Sequence, residues 1–113
     1  MAVKPLIVTV RKMDRVAVID LLGDIDSFAE QDLEQSYLEA ESIDPRIIVL
    51  NFTGVDYINS TGIALIVSLL AKARKSHRRL VTYGLSDHYI EIFQITRLAD
   101  FMTIYPDEAS AIK

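Results

Sequence analysis

The 113-residue chain has no cysteine and no tryptophan, and only four glycines and three prolines. Without cysteine it can form neither a disulfide framework nor a thiolate metal site, a composition that fits a reducing compartment. With two histidines and no cysteine, the chain is poorly supplied with transition-metal ligands. The glycines stand apart from one another, so there is no Walker loop and no G-x-G-x-x-G fingerprint. Long apolar runs are scarce as well. The longest, Ile63 to Ala71, is broken by Ser68 and falls far short of the ~20 residues of a membrane span. Basic charge is not in excess: the net charge is −4 and the pI about 5.0, unlike the footprint of a nucleic-acid binder. The opening MAVKPLIVTVRK carries Lys4 and Arg11 with no small-residue cleavage site between them, so it reads as a first strand and not a signal peptide. The expectation is one cytoplasmic domain over residues 1–113, binding no nucleic acid and spanning no membrane.

Half the chain is hydrophobic and a quarter charged, which suits a folded core. Alternation and breakers predict strands at Leu6 to Val10 and Val16 to Leu22, joined by a turn around Met13-Asp14, with Gly23-Asp24 ending the second. Ser27 to about Ser42 has helical spacing, with Ala29, Leu33, Tyr37 and Ala40 on one face and Asp26 or Ser27 as cap. Its carboxylates occupy the remaining, solvated faces. Past Pro45, Ile47 to Phe52 reads as a strand buried on both faces, and Gly54 as the following turn. A second helix is expected from Thr61 to roughly Ser76, capped by a hydroxyl at Ser60-Thr61-Gly62. Ile63, Ile66, Val67 and Leu70 make one stripe on it and Leu65 and Leu69 another, which implies cover on more than one side. Leu80 to Tyr83 is a fourth strand. Ser86 or Asp87 caps a third helix through about Arg97, Phe101 to Tyr105 is a fifth strand, and Pro106 opens a short last helix.

The order β-β-α-β-α-β-α-β-α implies an α/β fold with a mixed, mostly parallel sheet of about five strands and about four helices. In such sheets the segments after the parallel strands gather at one edge, where ligands and partners bind. Gly23 to Asp26, Asp56 to Gly62 and Ser86-Asp87 should share that edge, making it acidic and rich in hydroxyls. Ser60 then has two readings: an N-cap worth about 1 kcal/mol, or a phosphate acceptor at a helix N-terminus that tolerates an anion. A phosphate there adds about −1.5 to −2 charge to a surface fitted to a partner.

Other chemistry finds less support. The elbow lacks the G-x-S-x-G signature, since Ile58 stands where its first glycine must be. His77 falls at the far end of the second helix, ~24 Å from Ser60 at 1.5 Å per residue. Only His88 keeps a serine hydrolase in view. Arg74, Lys75, His77, Arg78 and Arg79 form the one basic cluster. Complementing the helix dipole is its plain explanation, and docking an acidic partner or nucleic acid the sharper one.

Asp56-Tyr57-Ile58-Asn59-Ser60-Thr61-Gly62-Ile63, after a strand of the Ile47 to Leu50 kind, resembles the phosphorylation segment of STAS domains, and more narrowly that of bacterial anti-anti-sigma factors (anti-sigma-factor antagonists). Gly23-Asp24-Ile25-Asp26 is similar to the family's Gly-acidic-apolar-Asp segment, and Ile95 to Leu98 before Phe101 and Ile104 to its third helix and last strand. The resemblance implies a non-enzymatic partner-switching regulator without a cofactor. Ser60 matches the serine phosphorylated by a partner anti-sigma factor acting as a serine-protein kinase, and Asp26 an acidic residue beside it. Asp24, Asp26, Asp56, Asn59, Ser60, Thr61 and Gly62 would face the partner. The unphosphorylated form would capture the kinase and free a sigma factor, and a PP2C-type phosphatase would reset the switch. Asn59 departs from the family pattern, which usually has Asp; it keeps hydrogen-bonding capacity but drops the charge. That leans toward an alternative, a constitutive STAS adaptor in a signalling scaffold or a lipid-transport ATPase complex.

Overall fold

A computed structural model describes residues 4–113; residues 1–3, part of the N-terminal stretch discussed above, lie outside the described residues. The chain begins with a hairpin, β1 (Ile7–Met13) and β2 (Val16–Ile25), paired antiparallel. Its turn is Asp14-Arg15, one residue later than expected. Asp14 supplies the positive φ of 56° that so tight a hairpin requires and that an aspartate tolerates.

After β2 come a short 3-10 turn (Ser27–Ala29) and α1 (Glu30–Ser42). The remaining elements are β3 (Ile47–Ile58), α2 (Ser60–Lys75), β4 (Arg79–Tyr83), α3 (Asp87–Ile95), a second 3-10 turn (Leu98–Asp100), β5 (Ile104–Tyr105) and α4 (Glu108–Ala111). The sheet order is β1-β2-β3-β4-β5, and every pair after the hairpin is parallel. This is the five-stranded mixed sheet with four α-helices that the element order implied.

Four boundaries differ from expectation. Gly23 and Gly54 were read as strand ends, yet β2 and β3 run through both and pair as far as Ile25 and Ile58. Register shifts between Asp20 and Leu22, and again between Gly23 and Asp24, absorb the irregularity. Gly23 is needed because its φ of 116° lies where side chains are strained. The fifth strand is only Ile104–Tyr105, since Phe101 stands exposed beyond the second 3-10 turn. Pro106 does not begin α4: Asp107 caps it, accepting the Ser110 N–H at 2.8 Å.

The main core lies between one sheet face and α1, α2 and α3. Alternate β2 residues Ala17, Ile19 and Leu21 meet Leu33, Tyr37, Ile66, Leu69 and Phe93 there. Burial of Ala29, Leu33, Tyr37 and Ala40 follows the helical spacing read from sequence. The other face carries a smaller cluster, Val16, Val18, Val49, Val81 and Tyr83, against Ala111 and Ile112. A polar cluster pins α4 to that face: Arg11 reaches both Asp20 and Glu108, Asn51 donates to Asp20 at 2.7 Å, and the Tyr83 hydroxyl donates to Glu108 at 2.8 Å. Burial, with the Glu108 carboxylate beside it, pushes the Tyr83 hydroxyl up to about 12.

Candidate functional site

The long β2–β3 pairing decides the shape of the elbow. Because Asp24 pairs with Tyr57 and Ile25 with Ile58, the two predicted segments leave the sheet side by side. The Asn59 N–H then donates to the Ile25 carbonyl at 3.2 Å, binding the elbow to the end of β2. The same close approach requires a glycine three residues later, at Gly62. A Cβ there would sit 2.2 Å from the Ile25 carbonyl oxygen and 2.9 Å from Ile58 Cγ2. Only hydrogen lets the first turn of α2 come down onto that backbone.

The cap of α2 is Asn59, not a hydroxyl. With extended backbone, its Oδ1 accepts the Gly62 N–H at 2.8 Å, and its carbonyl accepts from Ile63 at 2.9 Å. Asparagine and aspartate cap about equally well, so this geometry accommodates either residue at position 59. Ser60 is relieved of capping. It is the first helical residue, its side chain is exposed like that of Thr61, and neither hydroxyl meets a protein partner among the described residues. The Ser60 and Thr61 N–H groups are likewise unspent among the described residues, and they are the orphan donors of a helix start.

The remaining predicted positions divide. Asp26 caps the 3-10 turn by accepting the Phe28 N–H at 3.0 Å, which leads the chain past the elbow into α1. Asp24 accepts the Lys4 backbone N–H at 3.1 Å, and Asp56 accepts the Lys4 ammonium at 2.8 Å. The Asp56 hydrogen bond and charge raise the Lys4 pKa in a fully exposed pair. Part of the acidic edge is thus answered by one lysine. Ser86, rather than Asp87, caps α3 by accepting the Tyr89 N–H. Nothing in the sequence marked the role of Tyr89, whose buried hydroxyl accepts the Ile58 N–H at 2.8 Å and fixes the last residue of β3. Phe28, 86% exposed beside the Asp26 turn, was also passed over. Its signal was an aromatic at a helix start, outside the apolar periodicity.

A triad with His88 is not assembled. The His88 ring packs edge-on to Tyr89, 4.8 Å between centroids, and makes no hydrogen bond to Ser60 among the described residues. Part of the basic cluster is engaged in structure: Arg78 donates to the Pro45 carbonyl at 2.6 Å and to Asp44 at 3.1 Å, and Arg79 donates to the Tyr105 hydroxyl at 3.1 Å. Among the described residues, no helix is long and apolar enough to cross a membrane.

A strand, a capped elbow bearing a free serine and a helix laid against mostly parallel strands are the features that define one class. The family model described as the STAS domain matches residues 8–111, and the chain belongs to that family. Among its relatives, an anti-sigma-B factor antagonist of Listeria monocytogenes is 30% identical over 95 residues, covering 83% of this chain and 82% of that protein. Among solved structures, an anti-sigma factor antagonist from Mycobacterium paratuberculosis aligns with a TM-score of 0.82 and 20% identity, over 96% of this chain and 92% of that one. The Bacillus cell fate determinant SpoIIAA in its phosphorylated form aligns with a TM-score of 0.72 and 21% identity, over 94% and 96%. At such identities the two structures speak to the fold, which they share. The roles these relatives are named for are regulatory, not enzymatic.

Proposed function

We propose that this chain is a cytoplasmic anti-sigma-factor antagonist that switches partners through Ser60. Unphosphorylated, it holds an anti-sigma factor that is also its serine kinase; phosphorylation at Ser60 releases that partner, and a PP2C-type phosphatase restores the complex. Asp24, Asp26, Asp56, Asn59, Thr61 and Gly62 belong to the same docking edge, with Asp26 nearest in role to Ser60. One observation carries the reading: the Ser60 hydroxyl stands in solvent on the first turn of α2 while Asn59 does the capping. Phosphate there adds about −1.5 to −2 charge without taking anything from the helix. Unspent N–H groups at the helix start accept the anion, so the fold survives. A partner seated on the edge instead meets an unpaired charge, which costs about 2–5 kcal/mol, some 30-fold or more in affinity.

The test uses a GHKL-type anti-sigma-factor kinase from the same genome. With ATP, mass spectrometry should place phosphate on Ser60. Ser60→Ala should retain the kinase and Ser60→Asp should lose affinity by the factor above. Equal retention of both variants removes the switch and leaves the constitutive adaptor.

A further inference from the structure

Away from the elbow, one hollow joins an exposed ring, a cation and an open helix face. Arg97 takes a φ of 68° at the end of α3, and the following 3-10 turn buries Leu98 and leaves Phe101 56% exposed. Arg74, in the last turn of α2, lies over that ring at 5.1 Å, within cation–π range. A groove of about 240 Å³ opens between them, lined by Val67, Leu70, Ala71, Arg74 and Phe101. Val67 was expected to be covered with its stripe, but it is 46% exposed. Ala64, Val67, Ala71 and Arg74 follow the three-four-three spacing of one helix face, and all four are exposed. The small Ala64 and Ala71 let another helix approach α2 closely.

Charge selects what fits. Lys72 faces Glu34 at 3.8 Å, Arg78 faces Glu41 and Asp44, and Arg97 is paired with Asp100. Arg74 and Lys75 meet no carboxylate among the described residues, although the chain as a whole is acidic. An apolar floor, an aromatic wall and two unanswered cations complement an apolar side chain flanked by carboxylates. An anionic membrane is a poorer match, since lipid-binding patches gather about four to eight basic residues, whereas Arg78 and Arg79 here are already engaged by Asp44 and the Tyr105 hydroxyl.

We propose that this groove docks an acidic amphipathic helix of a partner protein, laid along α2. One leucine- or methionine-like side chain enters between Val67 and Phe101, and glutamates or aspartates face Arg74 and Lys75. Arg74 is about 21 Å along the helix axis from Ser60. That is more than two screening lengths at physiological salt. Docking here therefore goes beyond the Ser60 switch and operates with Ser60 in either state.

The experiment titrates the isotope-labelled full chain with a synthetic acidic peptide of about 15 residues, long enough to hold a helix, with leucines at i and i+4 and glutamates around them. Amide shifts should concentrate at Val67, Ala71, Arg74 and Phe101. Arg74→Glu and Phe101→Ala, both at exposed positions, should each weaken binding about tenfold. Ser60→Asp should change it less than about twofold. Replacing the peptide's glutamates by lysines should abolish the shifts. The proposal is overturned by shifts elsewhere or none at all, by equal binding of the lysine peptide, or by phosphatidylserine vesicles producing these shifts when the acidic peptide does not. Because no kinase and no phosphate enter, failure here leaves the Ser60 reading standing, and the reverse also holds.

Discussion

Replacing Gly62 by alanine sets two effects of opposite sign against each other. Helix propensity alone favours alanine by about 0.8–1.0 kcal/mol in a helix interior. The structure opposes it, because the new Cβ would lie 2.2 Å from the Ile25 carbonyl oxygen, a backbone atom. An acceptable carbon–oxygen contact is about 3.3 Å, so α2 must retreat by about 1 Å. That retreat stretches the Asn59-to-Ile25 hydrogen bond and disturbs the Gly62 cap. Each is worth about 1 kcal/mol. Overpacking against Ile58 adds about 1–3 kcal/mol, so the net loss is about 2–4 kcal/mol. For a chain of this size 1 kcal/mol moves the midpoint by about 4 °C, and Gly62→Ala should melt about 8–16 °C lower. Thermal unfolding followed by circular dichroism, checked by urea titration, measures this. A variant melting at or above the parent would show that the elbow can yield and that the close approach sets nothing.

Asn59→Ala should lower stability by about 1 kcal/mol, whereas Asn59→Asp should stay within about 0.5 kcal/mol because both residues cap; the same melts decide it. Tyr89→Phe leaves the buried Ile58 N–H without its acceptor and should cost about 1–3 kcal/mol, with hydrogen exchange at the Ile58 amide accelerating well before that of Val49. Acid should loosen α4. Burial opposes charge on the Asp20 carboxyl, but hydrogen bonds from Arg11 and Asn51 outweigh it and hold the group below its ordinary value; Arg11, then Tyr83, does the same for Glu108. Folded-state values depressed below the unfolded ones, near ~4, mean that this stabilisation is complete at neutral pH and disappears as pH falls below about 4 through the folded values. The urea midpoint should therefore drop between pH 5 and 2, and Arg11→Met should flatten that drop.

Much of this architecture was legible because periodicity and burial share a cause. The α1 face Ala29, Leu33, Tyr37 and Ala40 and the run Ile47 to Leu50 were read from spacing alone and are buried as expected. Glycine misled where its reason was not a turn. Gly23 and Gly54 sit inside paired strands, and Gly54 is there because a side chain would press on Leu21 and Leu22 of the neighbouring strand. That reason lies thirty residues away in sequence, where no local rule can see it. The same holds for Tyr89 beneath Ile58 and Lys4 beside Asp56, contacts between elements that only the assembled sheet brings together. At the elbow itself, Ser60 was singled out correctly as a helix-start hydroxyl, but the cap was assigned one residue late. Asn59, Ser60 and Thr61 are all competent caps by type, and only backbone geometry tells which one precedes the first turn. Position within α2 separated Val67 from the rest of its stripe in the same way, since its exposure depends on how far Phe101 stands off.

The antiparallel hairpin puts β1 at the rim of the sheet, with seven residues of backbone whose outer N–H and carbonyl groups no strand among the described residues takes up. Such a rim is an invitation to self-templated growth, copy upon copy. Pro5 shortens it at one end, and the exposed Lys12 charges it at the other. These two residues keep the rim from pairing with another copy, and neutralising Lys12 while relaxing Pro5 should turn concentrated solutions cloudy on storage.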